Sequence, residues 1–283
     1  MEIAFTRAQR RKLASQIFVG VCIAAAAIAL IALGLIMFSL FTRGFSGIDG
    51  LIFTHDTPGP DSAGGLRNAI VGSILMCTLA MFIAVTVGVL AGTWLAEIGG
   101  DSKYGHAVRF LNDVLLSAPS ILVGLFIYEM MVRPMHGFSG WAGAMALGVL
   151  ATPVVTRTTE DILNLQPNAL REAGMALGAS QWITVRTIIW KAARAGLLTG
   201  GLLGFARISG ETAPILFTSL NNQFFNTDMG QPIASLPVVI YQFAMSPFDN
   251  WQKLAWAGAL LITATVLAIN ILGRWLARDQ DHR

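Results

Sequence analysis

Gln166 to Arg194 reads Q-P-N-A-L-R-E-A-G-M-A-L-G-A-S-Q-W-I-T-V-R-T-I-I-W-K-A-A-R. It is the longest polar, turn-punctuated segment in a chain otherwise compatible with lipid, so it is the natural place for a water-soluble partner to touch. Two short helices are legible in it. Pro167 or Asn168 opens the first, since proline tolerates an initial helical position and Asn is a good N-cap. Leu170, Ala173, Gly174 and Leu177 then share one face at helical spacing, with Arg171 and Glu172 toward the other. Gly178 suits the left-handed position that closes a helix, and Ser180 caps the next, in which Trp182, Val185 and Ile189 again share a side. The product is a helix-turn-helix shelf beside a membrane.

The rest of the chain supplies the membrane protein that such a shelf needs. With 283 residues, 54% of them hydrophobic and 12% charged, it is too apolar for an ordinary soluble domain. Six apolar stretches approach or exceed the ~20 residues that cross a bilayer: Ile17 to Phe41, Ala69 to Leu95, Phe110 to Val132, Phe138 to Val155, Ala195 to Thr218 and Leu254 to Leu272. The first could be a cleaved signal peptide, but its 25 apolar residues exceed such a core, and a retained helix is expected.

Basic residues orient the spans. With a cytoplasmic N-terminus, 14 of the 19 Lys and Arg fall on inner segments, so both termini and the shelf are expected in the cytosol. The sequence pI of about 9.1 then reflects topology and gives no reason to invoke nucleic acid. Cys22 and Cys77 read as small apolar residues, and the scattered His55, His106, His136 and His282 point to no metal site. There is no G-x-x-x-x-G-K-[ST] loop, so ATP, if it drives this protein, is hydrolysed elsewhere.

Several spans carry further signals. Gly72, Gly88 and Gly92 mark the second as a helix packed inside the bundle. Pro119 is expected to bend the third, and Glu129 can pair with Arg133 near its outer end. Asn112 and Asp113 read as wet residues at a cytosolic edge, while Glu97 to Val108 reads as a solvated connection and Arg157, Glu160 and Asp161 as a hydrated helix extension. Gly196, Gly200 and Gly204 lay a small-residue strip along the fifth span, against a membrane partner or an intramolecular neighbour. Next comes A-R-I-S-G-E-T-A-P-I-L-F-T-S-L. Arg207 falls near the midplane, where lipid exposure costs about 2.5–3.5 kcal/mol. Glu211, one turn on, is in reach of an ion pair, and Pro214 loosens the same turn. The pair either registers one helix against another or lines a pathway, in which a forked guanidinium matches phosphate oxygens. Ser219 to Gln252 has no Lys or Arg and serves as a dip against the bundle or as a docking surface.

Glu172, Ala173, Gly174 and Gly178 resemble the E-A-A, three residues, G loop of ABC importer permeases, the coupling helix that docks on an ATPase subunit. Gly174 stands where that pattern has its second Ala, and Trp190 and Lys191 stand where it has Leu-Pro. G-E-T-A-P-I-L-F-T, then N-N-Q-F-F-N-T-D-M-G-Q-P-I-A-S-L-P and V-V-I-Y-Q-F-A-M-S-P, are similar to the PstA-type subunits of bacterial phosphate ABC importers, and the likeness runs from about Gly64 onward. It implies an all-α membrane protein of six transmembrane helices with the type I importer core. It also implies a homologous PstC-type permease, an ATPase subunit dimer, a periplasmic phosphate-binding protein and inorganic phosphate as substrate. The chain itself would be no enzyme and hold no cofactor, ATP and Mg belonging to the partner subunits. Leu170, Glu172, Ala173, Gly174, Leu177 and Gly178 would couple to the ATPase, and Arg207, Glu211 and Thr212 would line the pathway. The expected organisation is a tail (1–16), a first span (17–41), a periplasmic loop (42–68), a core (69–276) containing the coupling segment 166–194, and a tail (277–283), in the bacterial inner membrane. The alternatives are a permease for sulfate or molybdate, which would differ around Glu211, and a secondary transporter, which would show inverted repeats.

Overall fold

A computed structural model describes residues 7–278, so the ends of both expected tails lie outside the described residues. Arg7–Gly47 forms α1, a 41-residue helix about 60 Å long by its rise. Past its basic first turns it is largely apolar and exposed as far as Ile36, and it meets the rest of the chain near its end, where Leu40 is buried and Gly44 and Gly47 lie against Leu260 and Lys253. The helix thus runs six residues into the expected loop 42–68, with the Thr42 and Ser46 hydroxyls turned back onto the carbonyls of Phe38 and Arg43.

After a one-turn helix at Leu51–Thr54, α2 spans Arg67–Trp94 and ends in a π-helical turn, Leu95–Gly99. α3 (Lys103–Ser117) and α4 (Ser120–Ile127, extended by a π turn over Tyr128–Val132) meet at 104°. Pro119 causes the break: the residue before a proline avoids the helical region, and Ala118 is extended (φ −66, ψ 136). The expected third span is therefore sharply broken. α5 (Gly140–Asn164) is opened by Ser139, whose hydroxyl accepts from the Ala142 amide. Then come α6 (Asn168–Ala176) and α7, built of Gln181–Thr184, a π turn Val185–Ile189 and Trp190–Ala192. α8 is Arg194–Ile208, α9 Ala213–Leu216, α10 Leu236–Ala244 and α11 Asp249–Arg278.

Among the described residues, three helices are by themselves long and apolar enough to cross a membrane, four if the bent pair is one span. The six expected spans are thus not each met by such a helix. α5 has the length, 25 residues, but carries Arg157, Glu160 and Asp161 on its last turns. α8 has only 15 residues before the chain unwinds.

α5 is the axis of the bundle. One side takes α2, where Gly88 lies on Val155 and Gly92 on the Thr156 carbonyl. The other takes α8, where Gly196, Gly200 and Gly204 lie on Ile162, Thr158 and Val155. The glycine strip therefore serves an intramolecular contact. Lipid tails are as apolar as leucine, so close approach of backbones, with its gain in dispersion, holds these helices together. A second cluster, with Leu66, Leu236, Phe243 and Leu254, closes the end away from the shelf. A third, centred on buried Leu163, Ile189 and Ala193, lies beneath the shelf. Nearer water, each such Leu or Ile contributes about 1.5–3 kcal/mol by burial.

Candidate functional site

The shelf forms as two helices joined by a tight turn. Gly178 has φ +81, the left-handed conformation expected of it, and the Ser180 hydroxyl accepts from the Ile183 amide. The faces differ from expectation. Leu170 and Gly174, four apart, turn inward: Leu170 joins the cluster with Leu163 and Ile189, and Gly174 lies flat on Thr184 and Ile188. Ala173 and Leu177 are exposed, since α6 stops at Ala176 and Leu177, 87% exposed, has already left the helical path. Glu172 is exposed beside them. Trp182, 51% exposed, also fails to share the buried side, which Thr184, Val185 and Ile189 form. Instead its ring stands edge-on to Trp190 at 5.7 Å. The shelf thus exposes Glu172, Met175 and Leu177 from its first helix and Ile183 from its second, while Trp182 lines a cleft against Thr93, Trp94 and Glu97.

Beneath this surface lie charges that the sequence presents as solvated. Glu97 receives Arg171: Nη2 donates to Oε1 at 2.7 Å and Nε to Oε2 at 3.0 Å. The same guanidinium donates to the carbonyls of Gln166 and Leu163, both at 2.8 Å. Bonding to Glu97 holds the Arg171 pKa above its ordinary value. Gln181 donates to the Glu97 carbonyl at 2.8 Å, and Trp190 Nε1 to Thr93 Oγ1 at 3.1 Å. Glu160 is buried, not hydrated, and takes Arg109 Nε at 2.6 Å, while Arg109 also donates to the Gly100 carbonyl. Asn112 is buried too and donates to the Pro153 carbonyl. The signal for these pairs was a carboxylate at the edge of a span in a chain poor in charge; its partner, 51 or 74 residues away, was not legible. Arg157 with Asp161, and Arg133 with Glu129, are exposed i, i+4 pairs, the latter as expected.

Midway along the bundle, α8 ends at Ile208, and Ser209 and Gly210 turn the chain before α9. Arg207 and Glu211 thus lie on either side of a break, and among the described residues no ion pair joins them. The expected pair fails because it requires four consecutive helical residues. Pro214 packs on Gly124 of α4, where an added Cβ would lie 2.7 Å from the proline Cα, and this contact anchors the new helix direction. Arg207 is exposed and Glu211 and Thr212 half-buried; none of the three lines the open, mostly apolar groove of about 560 Å³ between Ala206, Gly210 and the Ile262–Ile271 side of α11.

At the end away from the shelf, buried Asn68 accepts from the Thr57 amide and donates to Thr57 Oγ1 and the carbonyls of Asn222 and Gln223. Arg67 grips Asp56 with two bonds of 3.0 Å and lies over the Phe225 ring. The Ser73 hydroxyl accepts from the Leu236 amide, and Gly72 touches the Ala234 carbonyl. The segment Ser219 to Gln252 is accordingly folded down onto the bundle, with α10 half buried.

Residues 84–283 match the family model described as the binding-protein-dependent transport system inner membrane component. The phosphate transport system permease protein PstA of Pasteurella multocida is 53% identical over 264 residues, covering 93% of this chain and 94% of that protein. The protein of the same name from Haemophilus influenzae is 52% identical with the same coverage. Among solved structures, the inward-facing MetNI methionine ABC transporter aligns with a TM-score of 0.64 at 19% identity, over 75% of this chain and 94% of that one. A bacterial ABC transporter that imports alginate aligns at 0.59 and 12% identity, over 93% and 99%. At such identities these two likenesses speak for the fold.

Proposed function

This chain belongs to the binding-protein-dependent transport system inner membrane components, as a PstA-type permease subunit of a phosphate ABC importer, and from that premise we propose how it works. ATPase subunits, which carry ATP and Mg, dock on the outer surface of the shelf through Glu172 and its apolar neighbours Met175 and Leu177. The chain itself performs no chemistry. The exposure of Met175 and Leu177 close in sequence to an exposed carboxylate supports this reading, since large apolar side chains left bare on a polar segment call for a protein partner. Both termini then face the cytosol of a bacterium, and phosphate arrives from a periplasmic binding protein at the opposite end.

Arg207 carries the proposal for the pathway. It stands on the last helical turn before the chain unwinds, exposed, and among the described residues no carboxylate pairs with it. Leaving it to lipid would cost about 2.5–3.5 kcal/mol. A homologous, PstC-type permease subunit covers it in our reading, and phosphate passes between the two subunits. The fork of the guanidinium pairs with phosphate oxygens. Glu211 and Thr212, on the far side of the break, complete the lining, and Glu211 limits how long the anion stays. Arg207→Gln tests this in reconstituted vesicles: ATP-driven phosphate uptake is expected to vanish while subunits still copurify. Unchanged uptake would remove Arg207 from the pathway.

A further inference from the structure

Three polar links tie the shelf end of α2 to the shelf, which is remote from it in the chain. Trp190 reaches Thr93, Gln181 reaches the Glu97 carbonyl, and Arg171 reaches both Glu97 carboxylate oxygens. They arrive from the end of α7, its start and α6 respectively. Two of the three converge on Glu97, whose side chain is 5% exposed. Its backbone lies in a π turn, where the helix ladder is less regular and a carbonyl is more available to an outside donor. Arg171 is fixed in turn to Leu163 and Gln166, so one guanidinium joins the end of α5, the shelf and α2.

The covalent chain already makes α5 and α8 follow the shelf, since they lie immediately before and after it. α2 has no such connection. Its contact with α5 is made by Gly88 and Gly92 on α2, by Gly143 and Gly148 on α5, and by Arg109 bridging Gly100 to Glu160, and none of these fixes the position of α2 along its axis relative to the shelf. A charged, doubly bonded carboxylate at the end of α2 supplies that axial hold. We infer that Glu97 is a positioning residue for transport, carrying displacements of the shelf into α2 through Arg171. With the charged link intact α2 moves with the shelf as one body; without it, α2 follows the shelf only through the neutral bonds of Trp190 and Gln181, and part of the motion driven at the shelf is lost. This rests on the reading above, in which the ATPase acts on the shelf.

The complete transporter is reconstituted in phospholipid vesicles with its ATPase subunits, and the phosphate-binding protein is supplied. Wild type, Glu97→Gln, Arg171→Lys and the double variant are compared by phosphate taken up per ATP hydrolysed and by ATPase subunit retained on purification. Glu97→Gln is expected to keep its ATPase subunits and its phosphate-stimulated hydrolysis while uptake per ATP falls roughly tenfold, within the range of single changes along a coupling path. Arg171→Lys keeps the charge but loses the fork, and falls less. The double variant falls no further than Glu97→Gln, because both changes cut the same link. An unchanged ratio in Glu97→Gln, or a double loss equal to the product of the single losses, overturns the inference. Should Glu97→Gln shed its ATPase subunits, Arg171→Lys decides, and an unchanged ratio there overturns it. A wild-type complex without ATP-driven uptake would sink the transport reading instead, so the two failures are told apart.

Discussion

Gly174 stands where the broader permease pattern carries alanine, yet Gly174→Ala is expected to harm this chain. An added Cβ would lie 2.5 Å from Thr184 Cγ2, 2.7 Å from Thr184 Oγ1 and 3.1 Å from Ile188 Cδ1. Thr184 is 2% exposed and cannot swing into free space. Overpacking of this kind costs about 1–3 kcal/mol. Alanine returns about 1 kcal/mol of helix propensity. The net is a loss of roughly 1 kcal/mol, a shift of a few degrees in the melting of a chain this size. The same geometry predicts the cure. Thr184→Ala removes both clashing atoms, and because Thr184 Oγ1 has no hydrogen-bond partner, its loss strands no donor or acceptor. That variant alone should melt close to wild type, and Gly174→Ala with Thr184→Ala should regain what the first change lost. Thermal unfolding of the purified complex, followed together with release of the ATPase subunits, reads all four forms. A Gly174→Ala protein as stable as wild type would refute the reasoning, as would a second change that fails to rescue the first.

Three further outcomes are expected. Glu172→Ala should loosen the ATPase subunits by roughly tenfold in affinity, as loss of a central charged interface contact does, and titration of ATPase subunit onto permease vesicles measures it. Gly72→Ala should be more damaging than Gly174→Ala, since its Cβ would fall on the Ala234 carbonyl, a backbone atom that no rotamer change moves aside. The readout is faster proteolysis of the segment between Ser219 and Leu236. Asn68→Ala should destabilise that same end by about 1–3 kcal/mol, because the Thr57 amide and the carbonyls of Asn222 and Gln223 lose a buried partner. Unfolding by denaturant gives the value, and Asn68→Asp should not restore it, having no amide to donate.

Periodicity and punctuation made much of this fold legible. Gly178 and Ser180 announced the turn of the shelf through conformations that few other residues serve as well, and Pro119 announced a bend through sterics that act on its immediate neighbours. Local rules failed where a contact spans the sequence. Nothing near Glu160 reveals Arg109, and nothing near Glu97 reveals Arg171, so both carboxylates read as solvated. Asn68 was unreadable for the same reason, its partners lying as far off as Gln223. The pairing of Arg207 with Glu211 failed differently. Spacing of four implies adjacency only on an unbroken helix, and Gly210 and Pro214, both visible in the sequence, are what break this one.

Placed together, these corrections separate two mechanical regimes along one molecule. At the shelf end, Arg109 and Arg171 each meet a buried carboxylate and at least one backbone carbonyl, so three helices and the shelf share bonds that lose strength steeply with displacement. Halfway along, the helical hydrogen bonds end with the Ser209 amide on the Phe205 carbonyl, and Arg207 and Glu211 are left on separate segments. Stiffness thus sits where a partner would push, and compliance sits beside the charge that would meet an anion. The reverse arrangement would waste the push in bending the shelf and would hold the middle shut. Unwinding at depth is tolerated only where protein or a water-filled cavity lies alongside, so the same break that frees the two charges calls for one or the other on that face of the chain.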